Sequence, residues 1–163
     1  MLQLDINNFT SFLPQNLCQS DSLQKLSTNN NHLIGPIPKT SRNFTSLIRI
    51  CLQDNQFFGN ISDNFGVYSN LEFVDLSYNR FYGEISQNWD RCPQLTTLRI
   101  AWNNVSGGRP PNIGNFIQLQ ELDLSYNGLV GKPPKEFGKL TSLVKLKLNG
   151  NQLSSDNLWS LDH

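Results

Sequence analysis

The stretch DLSYNRFYG at residues 75–83 returns as DLSYNGLVG at residues 123–131, two periods of 24 residues further on. The same period places Leu23, Leu47, Leu71, Leu95, Leu119 and Leu143 in register. Each opens a segment of the form L-x-x-[LIV]-x-[LIT]-x-x-N-x-[LFV]-x-[GS]. The asparagine of that pattern falls at Asn7, Asn31, Asn55, Asn79, Asn103, Asn127 and Asn151 without a miss. About one residue in eight is asparagine, so seven in register by accident is roughly a one in 100,000 event, whatever the phase. Self-similarity at one fixed period of this length predicts a solenoid, in which each turn buries its apolar face only by stacking on its neighbours.

The L-x-x-L-x-L-x-x-N core is that of leucine-rich repeats. In x-L-x-L-x the leucines alternate, so they point to one side of a short strand and the intervening residues to the other. The asparagine follows the strand, where the chain bends and backbone groups lose their ladder partners. Its amide holds two donors and an acceptor, and is expected to satisfy such groups within its own turn and the next. The Gly or Ser closing the pattern (Ser11, Gly35, Gly59, Gly83, Gly107, Gly131, Ser155) eases a tight turn. The predicted fold is an α/β solenoid: an arc of about seven turns over residues 1–163, read as a single domain. A parallel sheet forms its concave face and mostly irregular or 3-10 turns its convex face. No N- or C-terminal cap is evident, and the chain reads as an internal slice of a longer protein or the product of a truncated gene.

Composition excludes several functions. Thirteen basic and thirteen acidic residues leave no net charge, which argues against nucleic-acid binding and against a polybasic membrane patch. No run of eighteen apolar residues exists to span a membrane, and MLQLDINNFT lacks the basic and apolar regions of a signal peptide. His32 and His163 have no partner at metal or triad spacing, and no H-E-x-x-H, G-x-S-x-G or P-loop pattern occurs. SGGRPP at 106–111 has adjacent glycines but no following Lys-Ser or Lys-Thr. Neither catalysis nor a metal or cofactor is expected.

LIGPIPKTSRNFTSL (33–47) and LVGKPPKEFGKLTSL (129–143) resemble the plant-specific form of the repeat, L-x-G-x-I-P-x-x-[LF]-G-x-L-x-x-L. That form belongs to the extracellular domains of plant receptor-like kinases and receptor-like proteins, and to inhibitors of fungal polygalacturonases. Residues 13–94 are similar to receptor kinases of the male-discoverer-interacting type, whose members perceive secreted peptides. The resemblance implies an extracellular, cell-surface segment that binds a secreted peptide and works with a leucine-rich repeat co-receptor. Any kinase domain would lie outside this chain. The alternatives are a secreted inhibitor of a cell-wall-degrading enzyme and a structural mid-section without its own ligand site. Ile-Pro of the family pattern is replaced by Ile61-Ser62, Ile85-Ser86, Arg109-Pro110 and Pro133-Pro134, and Arg109 implies a locally relaxed turn.

Cys18 and Cys92 fall three turns apart, about 14 Å along the stack, beyond bridging distance. Cys51 sits on the strand face away from both, so no internal disulfide is expected. Four N-x-S/T sequons, at Asn8, Asn43, Asn60 and Asn104, mark candidate glycosylation sites. Asn8 and Asn104 directly follow ladder asparagines, where the side chain should leave the strand end towards solvent.

The period also names a binding surface. Third, fifth, seventh and eighth positions of each turn face the concave side or its edge. There the candidate ligand contacts are Phe73, Asp75, Tyr78, Thr97, Arg99, Trp102, Glu121, Asp123, Lys145 and Lys147. Aromatic side chains anchor many interfaces, although Tyr78 and Tyr126 at the eighth position also read as ordinary packing. Lys145 and Lys147 look like a basic pair for a peptide carboxylate. Yet Glu121 and Asp123 lie one strand away, and Asp75, Arg99, Asp123 and Lys147 alternate in sign down one column. A self-paired charge ladder is the preferred reading of that column.

Overall fold

The computed structural model describes residues 1–17, 22–38, 46–85, 87–108, 116–133 and 135–154. Seven short parallel strands lie side by side in one sheet: β1 (Leu2–Gln3), β2 (Lys25–Ser27), β4 (Arg49–Cys51), β6 (Phe73–Asp75), β8 (Thr97–Arg99), β10 (Glu121–Asp123) and β12 (Lys145–Lys147). Their register preserves the repeat, with Arg49 opposite Phe73, Phe73 opposite Thr97, and Glu121 opposite both Thr97 and Lys145. The arc comprises about five turns, so the expected count of seven holds for the strands of this sheet and not for turns.

Each strand stops after two or three residues because the residue at the eighth position adopts a left-handed backbone. This occurs at Ile6, Asn30, Asp54, Tyr78, Trp102 and Tyr126, all with φ between 53° and 56°, and at Gly150 with φ 72°. Six side-chain-bearing residues in a region that L-residues avoid is a strained solution. It persists because neighbouring turns pin it. Tyr78 N donates to Ala101 O at 2.9 Å and Trp102 N to Ser125 O at 3.0 Å, and the same bond recurs at Ile6, Asn30, Asp54 and Tyr126.

A second row of six strands was not foreseen: β3 (Ile34–Gly35), β5 (Gln56–Asn60), β7 (Arg80–Glu84), β9 (Asn104–Gly107), β11 (Gly128–Gly131) and β13 (Gln152–Leu153). It follows from the ladder asparagines, which deliver the chain into an extended path beside the preceding turn. The convex side carries the expected short pieces, a one-turn helix α1 (Ile61–Asn64) and 3-10 turns at Gln87–Arg91 and Lys135–Lys139. Asn60 caps α1, its side-chain oxygen accepting Ser62 N–H at 2.9 Å. Ser62, which stands in place of the family proline, donates its hydroxyl to Glu84 O at 2.7 Å.

The ladder asparagines bridge turns in the opposite sense from that expected. Asn79 Nδ2 donates to Leu76 O in its own turn and to Leu52 O in the preceding one, while Asn79 Oδ1 accepts Phe57 N–H, again in the preceding turn. Asn31, Asn55, Asn103, Asn127 and Asn151 repeat this pattern. The direction follows from geometry: after the left-handed residue the side chain points back along the axis, over carbonyls already laid down. Asn7 has only its own-turn acceptors, Leu4 O and Asp5 O.

Between the two sheets runs one apolar core. Leu47, Leu71, Leu95 and Leu119 are buried, as are Leu52, Leu76, Ile100 and Leu124. Thr28 takes the place of a leucine in this last column and is fully buried. Phe57 and Phe81 fill the space beneath the second sheet, and Trp89 packs on Phe65 at 4.8 Å. Cys51 and Cys92 are both reduced and both buried; Cys92 Sγ accepts the Tyr68 N–H at 3.4 Å. Burial pushes the Cys51 thiol up, against a hydrogen bond from Arg49 that draws it down. Cys18, Asn43, Arg109, Ser155 and His163 lie outside the described residues.

Candidate functional site

The concave sheet forms the floor of an open groove of about 520 Å³, bordered on one side by the eighth-position residues. Its floor is charged because strand residues that alternate with core leucines must face out. The acids sit low and the bases reach over them. The Asp75 and Glu121 side chains keep only 9% and 15% of their exposure, whereas Lys145 and Lys147 keep nearly half.

Pairing between neighbouring strands is extensive, with one departure from the single-column alternation. Lys145 Nζ lies 2.7 Å from Glu121 Oε1, and Lys147 Nζ 3.3 Å from Asp123 Oδ2. Arg99 contacts Asp75 at 3.4 Å in its own column, but its other arm turns diagonally to Glu121 at 2.8 Å. Asp123 instead takes the Ser125 hydroxyl at 2.6 Å and its N–H at 3.1 Å. A guanidinium fork reaches two carboxylates in different columns, where a lysine serves one. The Arg99 hydrogen bond holds the Glu121 carboxyl below its ordinary value, and the Glu121 hydrogen bond raises Arg99 in turn.

Phe73 is held between two cations. The Arg49 guanidinium lies 3.9 Å above its ring and that of Arg99 5.5 Å away. Thr97, beside Phe73 and Glu121, is half-buried. Along the rim, Tyr78, Trp102 and Tyr126 form a continuous stack. Tyr78 and Trp102 are 5.7 Å apart and Trp102 and Tyr126 4.0 Å apart, with interplanar angles of 12° and 16°. The rings nevertheless remain about half exposed. The repeat spacing brings them together, since a common backbone conformation aims each ring the same way. Gly150 closes one end, where a Cβ would fall 2.5 Å from the Tyr126 ring. At the other end the column continues with Asp54.

Sequence reasoning places Asp54 in the eighth-position column but names neither it nor Gln53 among the candidate ligand contacts. Both line the groove, and Asp54 with Tyr78 also borders an adjoining hollow of about 470 Å³ beside Asn30 and His32. The signal was present in the eighth column, where an acid interrupts the aromatic run. Among the described residues no group of three His, Cys, Asp or Glu side chains comes together as a metal site. No helix of these residues is long and apolar enough to cross a membrane.

Of the sequons, Asn8 and Asn104 are exposed, while Asn60 is half-buried and engaged as the cap of α1.

Leucine rich repeat family models match residues 70–92 and 93–153. No curated protein matches the sequence. Among solved structures, the Arabidopsis receptor kinase HAESA ectodomain, in complex with an N-terminally extended IDA peptide hormone ligand, is similar with 31% identity and a TM-score of 0.90. That match covers 98% of this chain and 27% of HAESA's. The ectodomain of GASSHO1/SCHENGEN3 from Arabidopsis thaliana, in complex with CASPARIAN STRIP INTEGRITY FACTOR 2, is similar with 28% identity and a TM-score of 0.88 over 97% of this chain and 19% of that one. HAESA in complex with IDA and the co-receptor SERK1 matches at 31% identity and a TM-score of 0.86, over 95% of this chain and 26% of that one. The chain thus spans between 19% and 27% of these three receptor chains. It belongs to the leucine-rich repeat family, in the form of plant receptor kinase ectodomains.

Proposed function

We propose that this segment recognises an extended secreted peptide along its concave groove, outside the plasma membrane, as part of a receptor. The observation that carries this reading is the groove itself: a charged floor on strands β6, β8, β10 and β12, with Gln53 and Asp54 at one end, beside an exposed aromatic stack. At about 4.8 Å per strand the five turns that line it extend roughly 20 Å, enough for about six residues of extended chain. Buried carboxylates already carrying bases offer a peptide alternating acceptors and donors rather than one strong anion or cation site. In this reading Phe73, Asp75, Thr97, Arg99, Glu121, Asp123, Lys145 and Lys147 form the floor, and Tyr78 and Trp102 grip the ligand's side. HAESA holds a peptide hormone and a SERK1 co-receptor, and GASSHO1/SCHENGEN3 holds CASPARIAN STRIP INTEGRITY FACTOR 2, which supports assigning this segment a peptide and a leucine-rich repeat co-receptor. Glycans are assigned to the exposed Asn8 and Asn104, where they leave the floor clear.

Selection of a displayed random peptide library on the full chain tests the reading. Peptides should be enriched on the wild type and on Val130→Thr, a change on the outer surface of the second sheet. They should be lost on Trp102→Asn, which keeps a side chain suited to the left-handed backbone. Equal enrichment on Trp102→Asn overturns the reading.

A further inference from the structure

Among the described residues, four of the five acidic side chains along the concave side are engaged. Asp5 accepts from Ser27, Gln3 and the Asn29 N–H; Asp75 pairs with Arg99; Glu121 with Arg99 and Lys145; Asp123 with Lys147 and Ser125. Asp54 is the exception: among the described residues its carboxylate has neither a hydrogen bond nor an ion pair. Partial burial and the nearby charge of Asp75 raise its carboxyl above the ordinary value, so the local field lacks a cation rather than an anion. Gln53 Oε1, in the same groove wall, is a buried acceptor without a donor.

These acceptors adjoin an open aromatic face. Within the stack Trp102 is covered on both sides, and Gly150 lies against Tyr126. Tyr78 has one face against Trp102, and the next position of the column, on its other side, is Asp54 in place of a ring. Tyr78 is 51% exposed.

We infer that the outer face of Tyr78, with Asp54 and Gln53, is a recognition site for a guanidinium group, the side chain of an arginine in the ligand. A guanidinium is planar, so it continues the ring stack by one layer, and its attraction to the ring quadrupole adds to the contact. Its five N–H donors match the two unpaired acceptors, the Asp54 carboxylate and Gln53 Oε1, and a carboxylate takes two of them side by side. An ammonium would satisfy Asp54 but would not stack. That the arginine belongs to a peptide rests on the reading of the groove given above; the site's preference for a guanidinium does not.

The probe is N-acetyl-arginine methylamide, added to the full chain and followed through the aromatic NMR shifts of Tyr78. Saturable binding is expected, with the uncharged urea analogue N-acetyl-citrulline methylamide about tenfold weaker or worse. Asp54→Asn should weaken the arginine probe about tenfold and leave citrulline unchanged. Asparagine suits the backbone there, since Asn30 holds φ 54° one turn earlier. Followed by titration calorimetry, Tyr78→Asn should abolish binding of the arginine probe, whereas Tyr126→Asn, at the closed end, should retain it. Equal binding of arginine and citrulline, or no effect of Asp54→Asn, overturns the site. If the library yields peptides without arginine and the probe does not bind, the site fails while the peptide reading stands. If the probe binds through Asp54 and no peptide is enriched, the site stands and the peptide reading fails.

Discussion

Asn79 is bonded to Phe57, a residue of the turn before it: Asn79 Oδ1 accepts the Phe57 N–H at 2.9 Å, and its Nδ2 reaches Leu52 O at 2.9 Å. One side chain therefore closes three or four backbone bonds across two turns at the seam between the sheets. Replacing Asn79 or Asn103 with Ala leaves those groups without partners and should destabilise the chain by about 1–3 kcal/mol. Asn7→Ala should cost less, because Asn7 serves only its own turn at an exposed position. Chemical denaturation of the three variants checks the order, and equal shifts would contradict it.

Gly83 combines a φ of +86° with a neighbour in the way, since a Cβ there would lie 2.6 Å from Asn60 Oδ1. Gly83→Ala should lower stability by at least the roughly 1–2 kcal/mol of a left-handed alanine, and should also disturb the α1 cap. Gly138 has nothing within 4 Å of such a Cβ, so Gly138→Ala should be neutral or slightly stabilising. Thermal melts of both variants compare the two.

Ile6 holds φ 54° with a β-branched side chain that is largely solvent-exposed. It is the least suited of the residues in its column, and nothing in its packing requires isoleucine. Ile6→Asn should therefore raise stability by about 1 kcal/mol. A lowered denaturation midpoint would show that the exposed side chain packs in a way the geometry does not reveal.

The two shifted carboxyls on the concave side act on stability with opposite sign. Glu121 titrates below its ordinary value of about 4.5 in the folded chain, so its contribution is present above that pH and is lost as pH falls through the depressed value. Glu121→Gln should flatten the acid limb of the stability curve in that window. Asp54 titrates above its ordinary value of about 3.8, so it disfavours folding as pH rises through that range. Asp54→Asn should be neutral to slightly stabilising at neutral pH. Denaturation midpoints across the acid range distinguish the two variants, and parallel curves would refute the assignment.

Much of the architecture was legible in the spacing alone. Leucines every 24 residues and asparagines nine positions into each unit leave one way to bury the apolar columns, which is to stack parallel strands with Leu71, Leu95 and Leu119 in line. The outward set was legible as well, because alternation along a strand decides which side chains leave the core. This is why Phe73, Arg99 and Glu121 were expected on the concave face, and the sheet places them there.

Three things required the tertiary structure. The second sheet and the backward reach of Asn79 depend on the left-handed turn at the eighth position, a backbone conformation that Tyr78 and Trp102 do not announce by residue type. The diagonal arm of Arg99 to Glu121 depends on side-chain length and on the lateral offset of adjacent strands, which a column of charges does not contain. The isolation of Asp54 is a statement about what fails to surround it. The sequence supplies the residues and their period; which carboxylate finds a base is decided by distances between side chains from different turns, and these exist only once the turns are stacked.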